Sequence, residues 1–152
     1  MREPLRIPIR RLHPEKTEDI PLPRAMSPGA AGMDIFAALD GDLVIEPGET
    51  VAVPTGFAIA VPPGYEAQIR PRSGLAMRRS IIVPNSPGTI DSDYRGEVRI
   101  LLTNLSRNRF TLHRGERIAQ MVVAPVERVR WEETPALPDT TRGEGGFGHT
   151  GV

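Results

Sequence analysis

Two aspartates, a tyrosine and an arginine crowd into Gly88-Thr89-Ile90-Asp91-Ser92-Asp93-Tyr94-Arg95-Gly96-Glu97-Val98. A carboxylate within reach of a water could serve as general base, an aromatic ring could lie against a sugar or a base, and the glycines mark turns. Polar loops on a β-scaffold often hold binding sites, because the scaffold fixes what the loop presents. The stretch therefore reads as a nucleotide pocket with a general base. Asp91 and Asp93 are two apart, so on an extended backbone they point to opposite sides and do not form a paired dyad. One of them could face a pocket; on spacing alone, turn aspartates bonding their own backbone are commoner. Tyr94 could stack on a ligand or simply pack.

Other segments have the makings of a phosphate apparatus. Pro71-Arg72-Ser73-Gly74 leads into a short helix, where exposed backbone N–H groups and an arginine favour an anion; an ordinary helix cap with a solvated arginine is the commoner use of such a sequence. Gly32-Met33-Asp34 opens a strand after a small-residue turn, and Asp34 could hold waters around a divalent ion or end the turn. Gly115-Glu116-Arg117-Ile118-Ala119-Gln120 reads as a turn into a strand, with Gln120 as a polar contact or part of a plain hairpin. The final stretch, Arg142 to Val152, has five glycines in eleven positions. Glycines let backbone amides approach phosphate closely. Arg142 could clamp a terminal phosphate and Phe147 could cover a base, although a disordered tail is the default for such an end. His13, His113 and His149 are dispersed, without zinc-ligand spacing. His13 and His113 are expected at the surface, and His149 could assist phosphate binding.

The elements that must position these residues are short strands. Sixteen prolines and fifteen glycines interrupt the 152 residues, with Pro-Gly pairs at Pro28-Gly29, Pro47-Gly48, Pro63-Gly64 and Pro87-Gly88. Between them lie β-type runs at Leu5 to Leu12, Met33 to Ala38, Leu43 to Glu46, Thr50 to Val53, Phe57 to Val61, Tyr65 to Arg70, Ile81 to Val83, Val98 to Thr103, Arg109 to Leu112 and Arg117 to Val123. This predicts an all-β chain, an antiparallel sandwich or barrel. One short helix is expected around Leu75 to Arg79. After Trp131 the composition shifts, predicting a β-domain over residues 1–133 and a flexible Gly-rich arm over 134–152 that is mobile alone.

Composition narrows the function classes. Acidic and basic residues balance at 19 each, which argues against a nucleic-acid polymer as partner but permits a local cationic site. Lys16 is the only lysine, so positive charge is almost wholly arginine, suited to bidentate phosphate contacts or simply a product of genome composition. The absence of cysteine excludes disulfides, thiol nucleophiles and cysteine-bound zinc. No signal peptide and no membrane partner are expected, and a cytoplasmic location fits.

Taken together, the segments resemble the five ordered motifs of the trimeric deoxyuridine triphosphatase (dUTPase) family. They are Ala31-Gly32-Met33-Asp34-Ile35, Pro71-Arg72-Ser73-Gly74-Leu75-Ala76, Gly88 to Gly96, Gly115 to Met121, and Arg142 to Gly151. Each alone is a weak signal; five in order at family-like spacing are specific. The resemblance implies a jelly-roll-like, distorted β-barrel and a homotrimer with shared active sites. It implies Mg²⁺-assisted hydrolysis of dUTP to dUMP and diphosphate, which limits uracil in DNA and supplies dUMP for dTMP synthesis.

On this resemblance, Asp91 is the general base for a water attacking the α-phosphorus. Tyr94 lies against the deoxyribose and excludes a 2′-hydroxyl. The hairpin from about Asn85 to Val98, with Asn85, Gly88 and Ile90, reads uracil and leaves no room for the thymine methyl. Arg72, Ser73, Gly74 and Gln120 bind phosphate, and Asp34 holds Mg²⁺ through water. Arg142, Phe147, Gly148, Thr150 and Gly151 belong to an arm that closes over the nucleotide. The segment Asn85-Ser86-Pro87 departs from the family pattern, and Pro87 has no N–H to donate. Two other readings share the fold: a dCTP deaminase, alone or bifunctional, for which Glu97 is the tempting residue, and a non-catalytic nucleotide-binding regulatory module.

Overall fold

The computed structural model describes residues 3–149. In chain order these form β1 (Ile9–Arg11), α1 (Pro14–Thr17), β2 (Arg24–Ala25), β3 (Met33–Phe36), β4 (Leu43–Ile45), β5 (Thr50–Pro54), β6 (Phe57–Ile59), β7 (Tyr65–Arg70), α2 (Ser73–Arg79), β8 (Ile81–Ile82), β9 (Gly88–Ile90), β10 (Arg99–Asn104), β11 (Phe110–Leu112) and β12 (Arg117–Pro125). Every ladder is antiparallel. The expected all-β chain of short antiparallel strands is what forms. Its sheets stay separate rather than closing into one barrel: β1-β6, β5-β10-β8, β11-β4 and the five-stranded β2-β3-β12-β7-β9. Strands cut short by Pro-Gly turns leave no ladder long enough to close.

Buried side chains from all four sheets meet in one core. Ile45 and Leu112 come from β4 and β11, Val53, Ile100 and Leu102 from β5 and β10, and Ile35, Ala67, Ile69 and Met121 from the five-stranded sheet. The pleat selects them: on β10, Ile100 and Leu102 are buried while Leu101 between them is exposed. Phe57, Ala58 and Ile59 on β6 are all buried, as their unbroken apolar sequence predicts.

Two helices form where the sequence reading expected one. The expected helix starts earlier, at Ser73, and α1 is additional. Pro14 supplies a preset φ at the first helical position, after His13 in a left-handed conformation (φ 49°). A four-residue helix has almost no intrinsic stability, and tertiary hydrogen bonds hold this one. Arg11 donates to the Ile20 carbonyl at 2.7 Å and to the Thr17 carbonyl. Arg114 donates to Asp19 at 2.6 Å and to the carbonyls of Lys16 and Leu39. The Arg114 hydrogen bond, more than its charge alone, holds the Asp19 carboxyl below its ordinary value. Two strands also escaped the sequence reading: β2, only two residues long, and β9, whose Gly88 and Ile90 pair with Ile69 and Ala67 inside what reads as a loop.

Asn104 ends β10 and is fully buried. Its amide donates to the carbonyls of Ile45 (2.9 Å) and Asn108 (2.8 Å), and its oxygen accepts from the backbone N–H and hydroxyl of Ser106 at 2.9 and 2.7 Å. One side chain thus joins β4, β10 and the turn before β11. Asn104→Ala removes four hydrogen bonds and strands the carbonyl of buried Ile45, so urea unfolding should show a loss of about 2–3 kcal/mol. A loss under about 0.5 kcal/mol would mean the network is not structural.

Candidate active site

The sequence-predicted residues fall into two constellations, and the five-stranded sheet decides which residue joins which. Directly opposed residues share a face, and successive rows alternate. Met33, Met121, Ile69 and Gly88 form one row, and Arg24, Asp34, Gln120 and Arg70 form the next. Met121 and Ile69 enter the core, so Asp34 and Gln120 face the other way.

The first constellation is a slot of about 240 Å³ at the β9 end of the sheet. Asn85, Gly88, Ile90, Asp91 and Tyr94 all line it, with Ile69, Thr89, Glu97, Val98, Arg99 and Leu101. Pockets for drug-sized ligands run to roughly 300–1,000 Å³, so this one suits a small ring system rather than a whole nucleoside triphosphate. Its floor is apolar and its rim carries Asp91, which follows β9 directly and is exposed. Gly88 lets Asn85 lie close: a Cβ there would sit 3.0 Å from Asn85 Nδ2 and 3.4 Å from Ile69 Cβ. The Ser86–Pro87 peptide is cis. Tyr94 donates its hydroxyl to the Glu97 carbonyl at 2.9 Å. Glu97 is engaged by its side chain as well, accepting the Gly56 N–H at 3.0 Å.

The second constellation is centred on Asp34, which is only 3% exposed. Its Oδ2 lies 3.1 Å from Arg117 and 3.5 Å from Arg72 Nε, and its Oδ1 accepts from Gln120 Nε2 at 3.2 Å. A β-bulge makes this possible. Arg117 opposes Phe36 and Gln120 opposes Asp34, with an extra residue in β12 between Arg117 and Ala119. In a regular strand, residues three apart point oppositely; the bulge restores Arg117 and Gln120 to one face. Gly32 completes the fit, since a Cβ there would meet Gln120 Oε1 at 3.2 Å. Arg72 is the N-cap of α2 and also donates to the Arg117 carbonyl at 3.2 Å, although its buried Nε has no hydrogen-bond partner. Ser73 and Gly74 are the first residues of α2, ahead of the Leu75 and Ala76 amides that bond back to Arg72. Arg72 and Arg117 continue into a depression of about 610 Å³ that Arg79, Arg109 and His113 also line.

The predicted arm residues join neither constellation in one chain. No strand or helix follows Pro125 among the described residues. Arg142 Nε donates to the nearby Gly145 carbonyl at 2.7 Å, Phe147 is fully exposed, and neither they nor Gly148 line the Asp91 slot. Thr150 and Gly151 lie outside the described residues. Sequence reasoning missed Arg117, Thr89, Val98, Arg99 and Leu101. Arg117 stands within the motif that supplied Gln120, and the bulge that turns it toward Asp34 is silent in sequence.

The family profile described as dUTPase matches residues 18–151. The chain belongs to the dUTPase family. Among its relatives, the deoxyuridine 5'-triphosphate nucleotidohydrolase of Desulfotalea psychrophila is 57% identical over 93% of this chain and 94% of its own length. That of Anaplasma marginale is 56% identical over 88% and 90%. A dUTPase of Staphylococcus bacteriophage 80alpha, solved with dUpNHpp, superposes with a TM-score of 0.83 at 25% identity, covering 97% of this chain and 99% of its own. A phage phi11 dUTPase variant, described as revealing coordination of a structural Mg(II) ion, shares the fold at a TM-score of 0.77 and 21% identity. The jelly-roll-like fold expected of a dUTPase is therefore the fold of this chain, and among the described residues no helix is long and apolar enough to cross a membrane.

For a metal, the donor set of this dUTPase chain fits only one arrangement. No three His, Cys, Asp or Glu side chains converge among the described residues. The single buried carboxylate, Asp34, is already matched by two guanidinium groups. A metal ligated directly by this chain does not fit. A hydrated Mg²⁺ brought in on phosphates does, because that ion keeps its waters and takes much of its coordination from substrate phosphate.

Two outcomes are expected. Asp34→Asn leaves two guanidiniums adjacent without their shared counter-ion. Breaking a fully buried pair costs about 3–5 kcal/mol, and because Arg117 is nearly half-exposed the loss here should be about 2 kcal/mol, read as a lower denaturant midpoint at fixed protein concentration. Separately, the 2.7 Å hydrogen bond that His113 Nδ1 donates to Asp42, with the charge of that carboxylate, raises the His113 imidazole above its ordinary 6.5. The pair's contribution to stability is full below that ordinary value and fades as pH rises through the raised one. An NMR titration of His113 should show the upward shift in the native protein and its loss in Asp42→Asn.

Proposed function

We propose that this chain hydrolyses dUTP to dUMP and diphosphate at sites completed by neighbouring copies in a homotrimer. One observation carries the reading: the slot bearing Asp91 and the depression beside the Asp34 cluster share no lining residue. A slot from one copy facing the cluster of another gives one complete site. The arm from the region after Pro125, residues 134–152, supplies the third part, with Arg142 toward phosphate and Phe147 over the base. Gly148 lends it the freedom to close, excluding water and strengthening the electrostatics inside, and Thr150 and Gly151 belong to the same arm.

In the slot, uracil lies against Ile69, Ile90 and Val98, with Asn85 and the Gly88 and Ile90 backbone at its polar edge. Tyr94 forms the wall against the deoxyribose. Asp91, at the rim, takes a proton from a water whose oxygen attacks the α-phosphorus. The α–β bridging bond breaks, diphosphate departs with its oxygen, and Asp91 returns the proton to solvent. Arg72, Gln120 and the first amides of α2 at Ser73 and Gly74 hold the phosphates, a task suited to a planar guanidinium. Mg²⁺, when bound, would neutralise triphosphate charge, and Asp34 would hold it through water. A cytoplasmic location fits a nucleotide substrate. Glu97 accepts the Gly56 amide with its side chain, an occupied position that disfavours the deaminase alternative.

Asp91→Asn should retain binding of a non-hydrolysable dUTP analogue and lower the rate of diphosphate release by about 10²–10⁴-fold. Undiminished turnover would remove Asp91 as base. Deleting the chain from Arg142 onward should leave the trimer intact by light scattering yet cripple hydrolysis; an unchanged rate would remove the arm from the mechanism.

A further inference from the structure

Tyr94 is nearly half-exposed, yet its ring is closely placed. The hydroxyl donates to the Glu97 carbonyl three residues on, folding the ring back over its own chain. That carbonyl belongs to an anchored segment: the Glu97 side chain accepts the Gly56 amide at 3.0 Å, and the Val98 N–H donates to the Phe57 carbonyl at 3.0 Å. On the other side, Arg95 donates to the carbonyls of Ser92 and Tyr94, both at 2.8 Å, and so braces the turn from within.

Between the two anchors the ring passes over Gly96. A Cβ at Gly96 would lie 2.7 Å from Tyr94 Cζ and 3.1 Å from Cε2, and would also overlap the hydroxyl. The backbone offers no other reason for glycine there. Gly48, Gly56, Gly64 and Gly115 adopt positive φ, but Gly96 does not. Gly96 therefore provides space rather than conformational freedom.

We infer that Gly96 is a specificity-determining position: by leaving room beneath the Tyr94 ring, it sets the wall against which the nucleotide sugar is judged. Any side chain at 96 pushes the ring off the Glu97 carbonyl and changes its standing in the slot. The inference rests on the reading that Tyr94 faces the sugar. Because the ring is exposed, it can yield without disturbing the core, so the effect falls on selection more than on folding.

The test compares kcat/KM for dUTP and UTP in the full-length trimeric enzyme. Gly96→Ala should lower the dUTP preference by about ten- to a hundredfold, the scale on which one displaced packing contact alters discrimination. Tyr94→Phe, which keeps the ring but releases its hydroxyl anchor, should lower it in the same direction by less, and serves if the first variant fails to assemble. Adding Gly96→Ala to Tyr94→Ala should have no further effect on the ratio, since the two positions act through one ring. If Tyr94→Ala alone leaves the ratio unchanged, the reading of Tyr94 as the sugar wall is wrong. If Tyr94→Ala abolishes the preference while Gly96→Ala and Tyr94→Phe preserve it, or if Gly96→Ala still acts without the ring, the inference about Gly96 is overturned.

Discussion

Alternation across the pleat of the five-stranded sheet constrains everything a single copy of this chain can do. Asp34 and Gln120 sit in one cross-strand row, and Met121, Ile69 and Gly88 sit in the row beside it. Neighbouring rows project to opposite sides. The hydrophobic row must enter the core, so the polar row must leave it. The Asp34 cluster therefore stands on the face turned from the core, and the slot beside Ile69 and Gly88 shares no lining residue with the depression next to that cluster.

The Asp34 cluster also explains how a neutral protein can handle a highly charged ligand. Charge over the whole chain cancels, but two guanidiniums share one buried carboxylate, leaving a local positive excess. The carboxylate orients the arginines while their charge remains available to phosphate. Arg72 Nε is buried and faces Asp34 Oδ2 at 3.5 Å, an ion pair without a close hydrogen bond. Lysine could supply charge at such a place, but not a planar fork that keeps one edge on Asp34 while presenting another.

Much of the fold was legible because turns and periodicity are local. Pro-Gly pairs and β-branched runs marked ten strands close to their observed places, and Phe57 to Ile59 announced its burial by having no polar residue. The misses share a cause. The helix at Pro14–Thr17 is held by Arg11 and Arg114, the latter nearly a hundred residues away (|i−j| = 98 for its bond to Lys16), and β9 exists because β7 lies beside it. Both depend on partners that no local window contains. In the site, Asp91, Tyr94, Asn85 and Gly88 were read from one contiguous stretch and occupy one slot. Arg117 was passed over because its side-chain direction depends on a bulge that leaves no mark on residue type.

Residue types and their order determined which chemistry is available: carboxylate, tyrosine and glycine in one loop, arginine and serine at a helix start, glycines at the end. These follow from bonding and conformational preferences that each residue carries with it. Tertiary structure decided which of those groups meet. Asp34 became a buried counter-ion, Gly96 became the floor beneath Tyr94, and Asn85, Gly88, Asp91 and Tyr94 came to line one slot. Such outcomes depend on register, on one extra residue in β12 and on distant chain segments packing together, and these are properties of the folded whole.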